Sequence, residues 1–161
     1  MILYVLRHGI AEDHAPSGDD ADRRLTDEGR RKLALILGRA RQAGAAPEII
    51  VSSPYVRARQ TAEIAAERLG SSDTLSLSQT LYPYSDVRET WQEVRGWREL
   101  DSVMLVGHNP HLTDLVSTLV GGGGRGGVGM KKGALARLEI DPLSPEPRGW
   151  LEWLLTAKTA G

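Results

Sequence analysis

The chain contains no cysteine, which removes disulfides, thiolate-held metals and any cysteine nucleophile. It has almost no net charge, formally −1. Its charged residues are spread and not blocked, so there is no electrostatic footprint for nucleic acid or another long polyanion. It also lacks a long apolar run. The opening Met1-Ile2-Leu3-Tyr4-Val5-Leu6 is short, has no basic stretch before it and runs straight into Arg7. That reads as a buried strand, neither a secretory signal nor a membrane span. What is left is one ordinary domain, because 161 residues is near the modal domain size and long enough to bury a layered core. A cytoplasmic setting is the expectation.

Ile2–Leu6 and Ser102–Val106 are continuous apolar runs, the pattern of strands covered on both faces. Thr26 is placed to cap a helix with Asp27 and Glu28 in its first turn, and Leu33, Ile36, Leu37 and Ala40 recur on one face before Gly44 ends it. Glu48–Ser52 gives a further strand. Ser53-Pro54 then reads as the cap and first residue of a helix whose buried stripe is Ala58, Ala62, Ala65 and Leu69. Small alanines there imply close packing on a sheet. Leu75–Leu81 alternates weakly, and a helix over Ser85–Leu100 buries Val87, Trp91 and Val94. Asn109-Pro110 repeats the cap-plus-proline device ahead of Leu112, Leu115, Val116 and Leu119. Gly121–Gly133 is a glycine-rich, low-complexity connector expected to be flexible. Ala134–Ile140 and Gly149–Leu155 then pair antiparallel. The alternation of strand and helix up to Leu119 predicts a single domain over 1–161: a three-layer αβα sandwich with a mostly parallel central sheet and an antiparallel addition.

Three strand-to-helix junctions carry the chemistry. Leu6-Arg7-His8-Gly9 closes the first strand. Val51-Ser52-Ser53-Pro54 delivers Arg57 into the following helix, and Val106-Gly107-His108-Asn109-Pro110 closes the run from Ser102. In an open α/β sheet, ligands collect beyond the carboxyl ends of the strands, so these junctions can bring two imidazoles and two guanidiniums together. Taken singly, Arg7 and Arg57 read as surface or ion-paired arginines, and His8 and His108 as satisfied core histidines. Their joint placement at strand ends points instead to a site that handles a phosphoryl group, whose oxygens match the planar guanidinium fork.

These motifs, together with Arg24-Leu25-Thr26, Gly29 and Gln60-Thr61-Ala62, stand in family order over nearly the whole chain. They resemble the histidine phosphatases, or phosphoglycerate mutase-like superfamily, and within it the short SixA-like phosphohistidine phosphatases. The resemblance implies a phosphoglycerate mutase-like fold with His8 as nucleophile. Arg7, Arg57 and His108 would be the other catalytic groups, holding the phosphoryl oxygens, and neither cofactor nor metal would be needed. An imidazole attacks only when neutral, which an ordinary pKa near 6.5 already allows at pH 7. The partner implied is a phosphorylated protein of the histidine-containing phosphotransfer type or a small phosphorylated metabolite, with no nucleic acid and no membrane. Larger members carry an acid for the leaving group after the third strand, where this chain offers Asp86, Glu89 or neither. A missing acid suits phosphohistidine, because an imidazole leaves more readily than an alkoxide. The alternatives are a small-metabolite phosphomonoesterase that uses Asp86 or Glu89, and a non-catalytic phosphate-binding module. His14 departs from the asparagine that mutase-type relatives often carry near the phosphate, which argues against mutase activity. The insertions that build a lid in those relatives are also missing, leaving a shallow site open to a phosphorylated side chain of another protein.

Several features have plainer explanations. His111 reads as a packing or helix-terminus residue. His108, His111 and Asp114 drift around a helix at i, i+3, i+6 and do not match a metal-binding pattern. Gly124–Gly129 fits GxGxxG but follows a helix, and Gly129-Met130-Lys131-Lys132 approaches a phosphate-binding loop without its Ser or Thr. Lys131 and Lys132 read first as solvated surface lysines, with contact to an acidic substrate at the rim as the alternative, and Trp91, Trp97, Trp150 and Trp153 read as core or partly buried surface and not as a base-stacking platform.

Overall fold

The computed structural model describes residues 1–71, 74–121 and 127–160. Its strands are β1 (Ile2–Arg7), β2 (Ile49–Ser52), β3 (Leu75–Leu77), β4 (Ser102–Gly107), β5 (Leu135–Ile140) and β6 (Gly149–Leu155). The helices are α1 (Asp27–Gln42), α2 (Val56–Leu69), α3 (Val87–Gly96), α4 (His111–Gly121) and the short α5 (Ala157–Ala160). One six-stranded sheet has the order β3-β2-β4-β1-β5-β6. Its first four strands are parallel, and β5 and β6 join antiparallel beside β1.

The continuous apolar strands are explained by the two helical layers. Alternate residues of a strand face opposite sides, and β1 divides accordingly. Leu3 and Val5 pack with Trp91, Val94, Leu112 and Leu115 of α3 and α4. Tyr4 and Leu6 pack with Leu33, Ile36, Leu37 and the alanines of α2 on the other face. β4 splits the same way, Val103 and Leu105 against Met104 and Val106. Each such fully buried side chain stabilises the fold by about 1.5–3 kcal/mol. Ala58, Ala62 and Ala65 are buried in α2, as their size implied.

Thr26 caps α1 as expected, its hydroxyl accepting from the Gly29 N–H at 3.0 Å. Gly29 is required for a second reason, since a Cβ there would lie 2.2 Å from the Ile10 carbonyl oxygen. This close approach seats the loop after β1 against α1.

Five local expectations are corrected. Ser53 and Pro54 do not start α2, which begins at Val56 after Tyr55 with no side-chain cap. The strand-to-helix turn is longer, and Ser53 is used elsewhere. Asn109 does not cap α4, which begins at His111: its Oδ1 accepts from no described group, while its amide N–H donates to the Met130 carbonyl at 2.9 Å. The stretch read as one weak strand to Leu81 is β3 followed by a 3₁₀ turn at Gln79–Leu81, and α3 is shorter than the span to Leu100. The connector is not loose over residues 127–133. Met130 is buried, and the Gly133 N–H donates to the Arg7 and His8 carbonyls at 3.1 and 2.9 Å. Residues 122–126 of that connector lie outside the described residues, as do Gly124–Gly126 of the GxGxxG match.

Candidate active site

β1, β2 and β4 run in the same direction, so their carboxyl ends finish along one edge of the sheet. His8 follows β1, Ser53 follows β2, and His108 follows β4. Arg57 comes from the first turn of α2. The predicted residues meet there. The rings of His8 and His108 are 5.0 Å apart, and the Arg57 Nε lies 3.4 Å from His8 Nε2. Arg7 and Arg57 both act electrostatically on His8.

The His8 ring has a defined tautomer. Its Nδ1 is 2.7 Å from the Gly9 carbonyl oxygen, which can only accept, so Nδ1 carries the hydrogen and Nε2 the lone pair. Burial pushes its pKa down to about 3, aided by the nearby charges of Arg57, Arg7 and Lys132 and opposed by the Gly9 bond. His8 is therefore neutral at pH 7, with Nε2 turned toward Arg57. A Cβ on Gly9 would come 2.7 Å from Leu33 Cδ1, so a side chain after His8 would require the buried Leu33 to shift.

His108 is pushed down to about 2, first by burial and then by His8 and Arg57. Its Nε2 sits 2.8 Å from the Ser53 hydroxyl, which itself accepts from the Tyr55 N–H at 3.4 Å. A hydroxyl can accept and donate at once, so Ser53 is able to donate to Nε2, and in that tautomer the His108 hydrogen sits on Nδ1. His108 Nδ1 and Arg7 Nε are buried with no hydrogen-bond partner among the described residues. Buried polar groups are normally paired; Arg7 Nε is a donor in any state, and His108 Nδ1 is one when Ser53 donates to Nε2, so both can serve an anion. The Arg7 Nη1 is fixed by the Met130 carbonyl at 2.8 Å, the same oxygen that holds Asn109.

Other groups complete the geometry that motifs alone did not reveal. Asp20 holds Arg57 twice, its carbonyl accepting from Nη1 at 2.7 Å and its carboxylate from Nη2 at 3.0 Å. The hydrogen bond from Arg23 lowers the Asp20 pKa, and Arg57 lowers it further, so Asp20 is ionised. The Tyr55 ring packs edge-on to His108 at 4.9 Å, with the Arg57 guanidinium 5.0 Å from its centroid. Thr61 accepts from the Gly9 N–H at 3.1 Å and donates to the Arg57 carbonyl at 2.7 Å, joining two motifs. Only Thr61 had a sequence signal, its place in Gln60-Thr61-Ala62. Asp20 lay in a polar loop without periodicity.

The candidate acids are not drawn in. Asp86 caps α3 by accepting from the Arg88 N–H at 2.8 Å. Asp86 and Glu89 are exposed, and no described hydrogen bond or ion pair joins either to the four site residues. His14 is exposed. His111 is a buried packing residue between Thr90 and the Ser85 carbonyl at 2.9 and 3.0 Å. Among the described residues, no group of three or more His, Asp or Glu side chains is placed to hold a metal ion, and no helix is long and apolar enough to cross a membrane.

The sequence profile of the histidine phosphatase superfamily (branch 1) matches residues 3–82. An uncharacterized protein of Picosynechococcus is 38% identical over 125 residues, covering 76% of this chain and 74% of that protein. The protein histidine phosphatase SixA complexed with tungstate superposes with a TM-score of 0.88 at 24% identity, over 98% of both chains. A structure from Agrobacterium tumefaciens assigned as a phosphohistidine phosphatase SixA gives 0.80 at 26% identity, over 96% of this chain and 97% of the other. The fold also extends to an ecdysone phosphate phosphatase from Bombix mori, with a TM-score of 0.68 at 16% identity over 91% of this chain and 93% of that one. The profile match, and a sheet whose carboxyl ends gather the same motifs, establish that this chain belongs to the histidine phosphatase superfamily.

Proposed function

We propose that the protein is a metal-independent phosphatase that hydrolyses phosphohistidine on another protein through a covalent intermediate on His8. The observation that carries this reading is the neutral His8 ring, with its hydrogen held on Nδ1 by Gly9 and its Nε2 lone pair beside Arg57. In the first step that lone pair forms a bond to phosphorus while the bond from phosphorus to the leaving group breaks. Arg57, the free Arg7 Nε and His108 Nδ1 stabilise the equatorial oxygens. In the second step water attacks the phosphoimidazole, inorganic phosphate departs and the electron pair returns to Nε2. The water proton passes to solvent or phosphate.

Substrate class follows from the leaving group. An alkoxide needs a proton in the transition state, whereas an imidazole protonated on its second nitrogen departs neutral. Asp86 is engaged as a helix cap, Glu89 is exposed, and the ionised Asp20 is bound to two arginines. None of these is arranged as a general acid, which favours a labile phosphorus–nitrogen bond. The likeness to the Agrobacterium tumefaciens structure assigned as a phosphohistidine phosphatase, at 26% identity, supports the same choice. The second reading, a small-metabolite phosphomonoesterase, draws on the likeness to ecdysone phosphate phosphatase. It would need Asp86 or Glu89 as acid.

Rapid quenching with a phosphohistidine protein carrying labelled phosphate tests the mechanism. Acid-labile, alkali-stable label is expected on His8 and absent in His8→Ala, which should lose about three orders of magnitude or more in turnover. Phosphate binding without turnover, unchanged by that substitution, would show a binding module instead. Turnover of sugar phosphates that is abolished by Asp86→Asn or Glu89→Gln, with phosphohistidine untouched, would select the esterase.

A further inference from the structure

The chain has four lysines, Lys32, Lys131, Lys132 and Lys158. All four line one cleft of about 540 Å³, together with Arg7 of the candidate site. They arrive from three distant segments: the second turn of α1, the turn before β5, and α5. On a protein with net charge −1, this concentrates cationic charge at one place. Lys32 is paired with Glu28 at 2.6 Å, while Lys131, Lys132 and Lys158 are exposed and have no carboxylate partner among the described residues. The charge reaches the site, since Lys132 is among the groups that lower the His8 pKa. Ile10 and Ala157 give the cleft apolar wall between the ammonium groups.

We infer that this cleft docks an acidic segment of the phosphoprotein substrate, carboxylates flanking the phosphohistidine; the inference rests on the phosphohistidine reading above. Two observations select this occupant. The groups that hold a phosphate in fixed geometry, guanidinium forks and buried donors, are concentrated at His8, and the cleft adds only one of them, Arg7. Its other cations are ammonium groups on flexible stems, which recognise charge without imposing one arrangement. That suits several carboxylates on a protein surface better than a second phosphate. The cleft also begins at Arg7, so a chain whose phosphohistidine entered the site would carry its neighbouring residues across the lysines.

The test uses two phosphohistidine peptides that differ only in flanking Asp and Glu versus Asn and Gln. Turnover is compared for the wild type and the triple variant Lys32→Gln, Lys131→Gln, Lys158→Gln, with phosphoramidate as a substrate too small to reach the cleft. In the wild type the acidic peptide should have about a tenfold higher kcat/KM at low salt, an advantage that fades as salt screens it. In the triple variant the two peptides should become equal, with phosphoramidate turnover unchanged. Equal wild-type rates on both peptides, or an advantage that survives in the triple variant, would overturn the cleft while leaving the phosphatase reading intact. Failure to turn over either peptide would defeat the phosphohistidine reading and this inference with it. Inhibition of the wild type alone by a small bisphosphate, without peptide preference, would assign the cleft to a small anion and also overturn it.

Discussion

The two halves of the sheet differ in what their geometry permits. In β3-β2-β4-β1 the strands run the same way, so β1, β2 and β4 end on one edge and each leads into a turn that can display a side chain. The β5-β6 hairpin reverses direction at every strand. It is also half open, with Trp150 59% exposed, whereas β4 is buried along its whole length. The parallel half therefore gathers chemistry, and the hairpin supports it. Met130, shortly before β5, provides the carbonyl that fixes Arg7 and Asn109. Trp153 of β6 packs against Tyr4 of β1, with ring centroids 6.3 Å apart. The geometry of the candidate site is set by strand direction, and packing can come from either kind of pairing.

The sharpest way to break this division is to strike each half and read both activity and stability. Arg57→Ala, in the parallel half, should lower turnover by about 10²–10³, the loss seen for one transition-state donor, with stability little reduced. Arg57→Lys should not rescue it, because an ammonium cannot reproduce the fork held by Asp20.

Acid titration comes next. His8 and His108 are held neutral, at about 3 and about 2 against an ordinary 6.5. Between those values the unfolded chain binds more protons, so their contribution is fully retained above about pH 6.5 and lost as pH falls through the acid range. The slope is up to ~1.4 kcal/mol per pH unit for each imidazole. Urea unfolding between about pH 6 and pH 4 should show a flatter slope for His108→Gln than for the wild type. An unchanged slope would mean that this ring is charged in the folded protein.

A smaller effect is expected in the hairpin. Trp153→Leu should cost about 1–2 kcal/mol of stability through lost burial, read as a lower denaturation midpoint, while kcat stays at the wild-type value. A change in kcat instead would show that the hairpin does more than support. The smallest effect belongs to Asp20, outside both halves. Asp20→Ala should lower kcat/KM by about tenfold through loss of Arg57 alignment, and Asp20→Asn, which keeps an acceptor, should recover most of it.

Much of this was legible in the chain itself. β1 and β4 announced two covered faces by their unbroken apolar runs, Thr26 announced a helix start, and the Leu112–Leu119 stripe announced the buried side of α4. Those signals are local, because strand and helix periods are written in neighbouring residues. Ser53 and Asn109 misled for the same reason. Each has the local chemistry of a helix cap, yet each is taken by a group far away in sequence, His108 and the Met130 carbonyl. Asp20 gave no signal because its importance depends entirely on Arg57 lying across from it.

The amino-acid order by itself determined the layers, the strand ends and which imidazoles and guanidiniums are delivered to them, since these depend on short-range period and turn chemistry. Only the tertiary structure decided the state of those groups. The Gly9 carbonyl sets the tautomer of His8, burial beside cations keeps it unprotonated, and the meeting of four lysines beside Arg7 depends on how α1, α5 and the turn before β5 pack. Ionisation and tautomer respond to what surrounds a group in space, and that neighbourhood forms only when distant segments close around it.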